Sequence, residues 1–159
     1  MKTILVTFCM LICFYTAFSQ TDNSTSTYDR AIGIKFPGGF AISYKQFLKD
    51  NQNVEGEAMF ITNGFRAVGL YEWNWDIQGI NGLRWYVGPG AHIGFWNNDG
   101  SKKSNRSSAG IGIDGVIGLD YKFSDLPLNI SLDWQPSVDV IGSTGTGLGY
   151  GGIGVRYTF

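Results

Sequence analysis

Few side chains in this sequence are suited to chemistry, and each must be judged by the backbone that carries it. His92 is the single histidine in 159 residues. An imidazole can activate a serine hydroxyl or hold a metal ion, provided its partners lie within reach. Both cysteines, Cys9 and Cys13, fall in the first twenty residues, so one histidine stands without a thiol partner, and a zinc site is not expected. Gly110-Ile111-Gly112-Ile113-Asp114-Gly115 spells a dinucleotide fingerprint letter for letter. That motif works only where a strand turns into a helix whose N-terminus meets the pyrophosphate. Glu55 and Glu57, two positions apart, suggest acid–base work. On a strand that spacing puts both on one face, where ion pairing with Lys45 or Arg66 is the expected use. Lys102, Lys103 and Arg106 form a small basic cluster that suits anionic lipopolysaccharide or a surface partner. With 12 Lys and Arg against 13 Asp and Glu the net charge is −1, which argues against a nucleic-acid binder. No catalytic set, cofactor or metal site is expected.

The amino terminus reads as an address. Met1-Lys2 is a short basic start, residues 3–18 are almost wholly apolar, and Ala17-Phe18-Ser19 places small residues at a cleavage site. This is the pattern of a secretory signal peptide, 1–19, cut near Ser19-Gln20; the apolar run is short for a membrane helix. A lipoprotein reading through Cys13 fails on Ile12, where a small residue is needed. Residues 20–27 are polar and aperiodic, a flexible lead-in.

From residue 28 to 159 the apolar residues recur at every second position, the signature of strands. In 128–140 the even positions are Leu128, Ile130, Leu132, Trp134, Pro136, Val138 and Val140, and the odd positions are polar. Seven further segments repeat the pattern. Turn chemistry separates them: Pro37-Gly38-Gly39, residues 49–53, Asn63-Gly64, 76–82, a long polar loop at 97–108, 124–127, and a glycine-rich loop at 142–149. Eight strands joined by short turns should close into an antiparallel up-and-down barrel, because closure removes the exposed edges.

Alternation alone leaves open which face is outside. Four features choose an apolar exterior in a membrane. The polar face is rich in glycine, as a narrow eight-stranded interior requires. Its charges are mixed in sign, so Lys45, Arg66, Arg84 and Arg156 can pair with Glu55, Glu57, Glu72, Asp114, Asp120 and Asp133 inside a lumen, with His92 on the same face. Aromatics of the apolar face cluster near strand ends, as interfacial bands would. The two longest connections, 97–108 and 142–149, lie at the end opposite the termini.

At this point the residues meet a known class. The closing stretch Ile153, Val155, Tyr157, Phe159 resembles the terminal signal of bacterial outer-membrane barrels, with its last-residue Phe and alternating apolar residues. The span 28–159 is similar to the small eight-stranded class of the outer-membrane protein A transmembrane domain and outer-membrane protein X. Its hairpin around Ala31-Ile32-Gly33 and Tyr44-Lys45, and the stretch 128–136, resemble small barrels of Bacteroidetes-type bacteria. The resemblance implies residence in the outer membrane, contact with its lipid, and assembly by the barrel-assembly machinery. Lipid A deacylases, built on such barrels, carry a serine two positions after the histidine; here that position is Gly94. The expected role is therefore structural or interaction-based rather than enzymatic. The alternatives are a soluble periplasmic or secreted barrel holding a small apolar ligand, a lipid-modifying membrane enzyme, and a narrow ion channel.

Overall fold

A computed structural model describes residues 28–36, 39–61, 64–97, 107–142 and 146–159. The expected signal peptide and lead-in, the turn residues Pro37, Gly38 and Asn63, and the loop residues Lys102, Lys103 and Arg106 lie outside the described residues. Alternating side chains and turn-forming breaks give eight strands: β1 (Arg30–Phe36), β2 (Phe40–Lys49), β3 (Gln52–Ile61), β4 (Gly64–Asp76), β5 (Leu83–Asn97), β6 (Ser107–Lys122), β7 (Leu128–Ile141) and β8 (Thr146–Thr158). No helix occurs among the described residues. Each strand pairs antiparallel with its sequence neighbour, and β1 closes on β8 from Ala31↔Thr158 to Phe36↔Ile153. The molecule is thus the closed eight-stranded antiparallel barrel that the alternation predicts.

The pleat sorts the side chains into two populations. Facing outward are Ile32, Ile34, Ile42, Ile93, Ile111, Ile113, Ile117, Ile130, Leu132 and Val155, all exposed. Facing inward and buried are Lys35, Lys45, Glu55, Glu57, Arg66, Glu72, Arg84, His92, Asp114, Asp120, Asp133 and Arg156. This inverts the usual arrangement, in which apolar side chains lie inside. The soluble-barrel alternative needs its apolar face turned inward, and the structure turns that face outward.

Several strand ends differ from the sequence reading. Asn53, expected in the second turn, belongs to β3, pairs with Glu72 and is buried. The long loop is shorter than 97–108, because β5 runs to Asn97 and pairs with Ser107. The glycine-rich loop is shorter as well: β8 begins at Thr146, and its ladder to β7 starts at Val138↔Thr146. In each case the partner strand's hydrogen bonds decide the boundary. Polar and glycine-rich residues keep no side-chain period that could show it. At the end bearing the termini, the turn 77–82 uses Gly79 and Gly82 with φ of +89° and +83°, a conformation that glycine adopts without cost.

The aromatics form two unlike bands. Trp75 stacks on Trp85 with centroids 4.4 Å apart, and Tyr71–Trp73, Tyr121–Phe123 and Tyr157–Phe159 continue the band on the terminus side. Toward the opposite end the band is a chain of phenylalanines, Phe36–Phe40–Phe60–Phe65. Trp134 stands between the bands and donates to the Leu148 carbonyl at 2.8 Å.

Candidate functional site

The inward positions of eight strands bring most of the charged residues singled out in the sequence into one column. Two polar clusters divide it. The larger centres on Arg156 of β8. Its Nε donates to Ser43 at 2.7 Å and its Nη1 to Ser131 at 2.6 Å, while Nη2 donates to Glu55. Glu55 also accepts from Ser43 at 2.6 Å and lies 3.3 Å from the Lys45 ammonium. Lys45 reaches on to Glu72 at 2.9 Å and sits 4.2 Å above the Tyr86 ring. Asn53 donates to Glu72 at 2.7 Å, and Asn74 donates to Asn53. Lys35 pairs with Glu57 at 2.6 Å and with Asp133 at 2.7 Å. Tyr86 donates to Asp133 at 2.7 Å, and Gln135 donates to Glu57 at 2.9 Å. At the terminus end Tyr28 donates to Asp120 at 3.2 Å. Burial, with the Asp120 carboxylate beside it, pushes the Tyr28 hydroxyl well above its ordinary value. Arg84 bonds to Asp76 at 2.9 Å, with its guanidinium over the Phe47 ring.

The second cluster lies toward the opposite end. Arg66 donates to Asp114. His92 contacts Asp114 at 2.7 Å through Nδ1 and Asp139 at 2.8 Å through Nε2. The Arg66 guanidinium also lies 3.9 Å from the Tyr150 ring.

Between the clusters, on the β4–β6 side of the lumen, lies an apolar patch. Val68, Leu70, Tyr86 and Val116 are buried together. They occupy inward positions between Arg66 and Glu72 on β4, between Arg84 and His92 on β5, and between Asp114 and Asp120 on β6. The sequence predicts a lumen filled by polar side chains; the structure keeps them and adds this apolar patch. It fits because Gly118 faces it: a Cβ there would come within 2.6 Å of the Tyr86 ring.

Two further expectations are corrected here. Glu57 pairs with Lys35 and not with Lys45 or Arg66. Arg66 serves Asp114 instead, because the stagger of the strands, which alternation does not encode, sets which inward rows meet. Lys122 shares the inward parity of β6 but turns its ammonium to the carbonyls of Phe123 and Leu126. Asn74, Asn129, Ser131 and Gln135, on the polar parity that the sequence shows, are buried inside with the charged residues. The sequence reading passed over Asn53, which it placed in a turn although its parity matches Glu55, and Tyr28, which lies before β1 and off its inward parity.

Chemically the arrangement neutralises charge. The two positions flanking His92 on the inward face are Gly90 and Gly94, which carry no hydroxyl. The fingerprint at 110–115 lies inside β6, with no helix after it. Among the described residues no group of three His, Cys, Asp or Glu side chains is arranged to hold a metal ion.

A closed, eight-stranded up-and-down barrel with an apolar exterior and a packed polar interior is the architecture of the small membrane barrels. The structure is similar to the crystal structure of the N-terminal β-barrel domain of Pseudomonas aeruginosa OprF, at a TM-score of 0.61 and 18% sequence identity. The match covers 82% of this chain and 95% of that domain, so the two share a fold over nearly the whole barrel. No protein-family model and no curated protein matches the chain.

Proposed function

We propose that the chain is an outer-membrane barrel with a structural or surface-interaction role, and not an enzyme. The observation that supports this best is the inverted distribution of side chains. A belt of Ile, Leu, Val and Phe faces outward while, among the described residues, eleven Lys, Arg, Asp and Glu side chains are buried within. Exposing that belt to water would be costly, whereas acyl chains cover it at no cost. Strands β4 to β8, of 13–16 residues, exceed the nine to eleven or so that a tilted strand needs to cross a bilayer. The plugged lumen argues against a general diffusion pore. The expected partners are outer-membrane lipid, the assembly machinery acting on Ile153, Val155, Tyr157 and Phe159, and a lipopolysaccharide or surface partner at the loops.

Membrane fractionation followed by gel electrophoresis with and without boiling tests the reading. The protein should remain with the outer-membrane fraction and migrate differently when unheated, because a lipid-embedded barrel resists detergent unfolding. A protein recovered in the periplasm or medium, with one mobility, would defeat it.

A further inference from the structure

Two buried oxygens of the larger cluster lack a donor. Gln135 on β7 donates through Nε2 to Glu57 Oε1 on β3 at 2.9 Å, and Lys35 donates to the same oxygen at 2.6 Å. The second oxygen of each group, Glu57 Oε2 and Gln135 Oε1, has no hydrogen-bond partner. Glu57 is 3% exposed and Gln135 is fully buried, so bulk water does not serve them. Both atoms only accept while the carboxyl is ionised. One proton on Glu57 Oε2 satisfies both, because the O–H then donates to Gln135 Oε1 while Oε1 of Glu57 keeps its two donors. The result is the two-bond ring that a carboxylic acid forms with a carboxamide.

Charge counting points the same way. The buried cations of this cluster are Lys35, Lys45, Arg84 and Arg156, and its buried carboxylates are Glu55, Glu57, Glu72, Asp120 and Asp133. Asp76, which Arg84 bonds, stands at the rim with half its side chain exposed. Four cations thus face five carboxylates, and an uncompensated buried charge is costly. The imbalance is local to Glu57. Its cation Lys35, from β1, is shared with Asp133 of β7 at 2.7 Å and lies 3.9 Å from Glu55 of β3. Arg156 of β8 bonds Glu55, and Tyr86 of β5 donates to Asp133. The ladder partners of Glu57, Ser43 on β2 and Val68 on β4, bring no charge. Glu55, Glu72 and Asp120 also have an unpartnered oxygen, but Lys45 approaches those carboxylates at 3.3, 2.9 and 3.9 Å.

We propose that Glu57 and Gln135 form a proton-binding site, in which Glu57 is a neutral carboxylic acid at neutral pH, paired face to face with the Gln135 carboxamide. Lys35 then pairs with Asp133 alone, and the cluster carries equal charge of each sign. In the closed barrel three strands separate β3 from β7 on either side, so the pair is a strut between opposite walls. The proton fastens its second bond. Release of that proton at alkaline pH sets two carboxylates competing for Lys35 and loosens the strut. The inference rests on lumen contacts and stands apart from where the barrel resides.

Infrared spectroscopy of the full barrel in lipid vesicles, with isotope-labelled glutamate carboxyls, reads the proton directly, because the chain has only three glutamates, Glu55, Glu57 and Glu72. The wild type should show the band of a protonated glutamate carboxyl at neutral pH, and Glu57→Gln should lose it. The amide is the neutral isostere of the protonated acid, with an N–H where the acid has its O–H. Glu57→Gln should therefore unfold in urea at the wild-type midpoint at neutral pH, and at a higher midpoint than wild type at alkaline pH. A band that survives in Glu57→Gln would overturn the proposal, because the proton would then sit on another glutamate. A Glu57→Gln barrel that fails to fold, or that unfolds earlier than wild type at neutral pH, would overturn it too. So would a wild type without the band, and a midpoint that then rises with added sodium would assign the balancing charge to a metal cation instead.

Discussion

Arg156 joins three other strands through one guanidinium, reaching Ser43 on β2, Glu55 on β3 and Ser131 on β7. Arg156→Ala would leave Glu55 buried with one of its three neighbouring cations gone, and breaking a buried pair in this way costs about 3–5 kcal/mol. Urea unfolding in lipid vesicles should show a correspondingly lower midpoint. Arg156→Lys should recover only part of the loss, since an ammonium is a point charge and cannot fork to three strands. At this scale the sequence announced which residues face inward, because parity along a strand is local. It did not announce partners. Lys45 does face Glu55 directly across the β2–β3 ladder, a pairing open to guesswork once the hairpin is placed. Lys35 with Asp133, on strands β1 and β7, depends on the stagger of the closed barrel. The same holds for His92 and Asp139, which meet only because Gly112 clears the way.

Each strand presents an apolar rail outside and a polar or small rail inside, and the outside rail is the one that lipid would test. Ile113 stands near the middle of β6 and is 60% exposed. Ile113→Arg should cost about 2–4 kcal/mol if the site faces the bilayer midplane, since that is the depth-dependent cost of a lipid-facing arginine. Ile80, also exposed, lies in the turn 77–82 outside the strands, and Ile80→Arg should change stability by no more than about 0.5 kcal/mol. Vesicle-based unfolding of the two variants separates them. A matching large loss at both sites, or none at Ile113, would contradict the outward assignment. Strand existence was legible throughout because sustained alternation suits a pleated strand and neither a helix nor a loop. Strand ends were less so. Asn53 looked like a turn residue by type, and residues 146–149 looked like loop by glycine content, yet ladder pairing drew both into strands. The outer aromatic band was legible only in part, because phenylalanine does not mark an interface as Trp and Tyr do.

For the whole molecule, the fold follows from one rule applied eight times: a period of two, short turns, and closure of β1 on β8. The shared fold with the OprF barrel domain at 18% identity shows how little specific sequence that rule demands. What fills the lumen is less constrained, and here it consists of two charged clusters with an apolar patch of β4–β6 residues between them. The central claim is that the apolar rail meets lipid. The chain from residue 20 onward contains no cysteine, so a single Leu132→Cys variant can carry an environment-sensitive fluorophore without competing thiols. Leu132 is outward and exposed near the middle of β7. In reconstituted vesicles the fluorophore should emit as in an apolar medium and be quenched by lipids carrying quenchers on their acyl chains, while aqueous iodide leaves it bright. Quenching by iodide with no effect of the acyl-chain quenchers would place that rail in water and contradict the account.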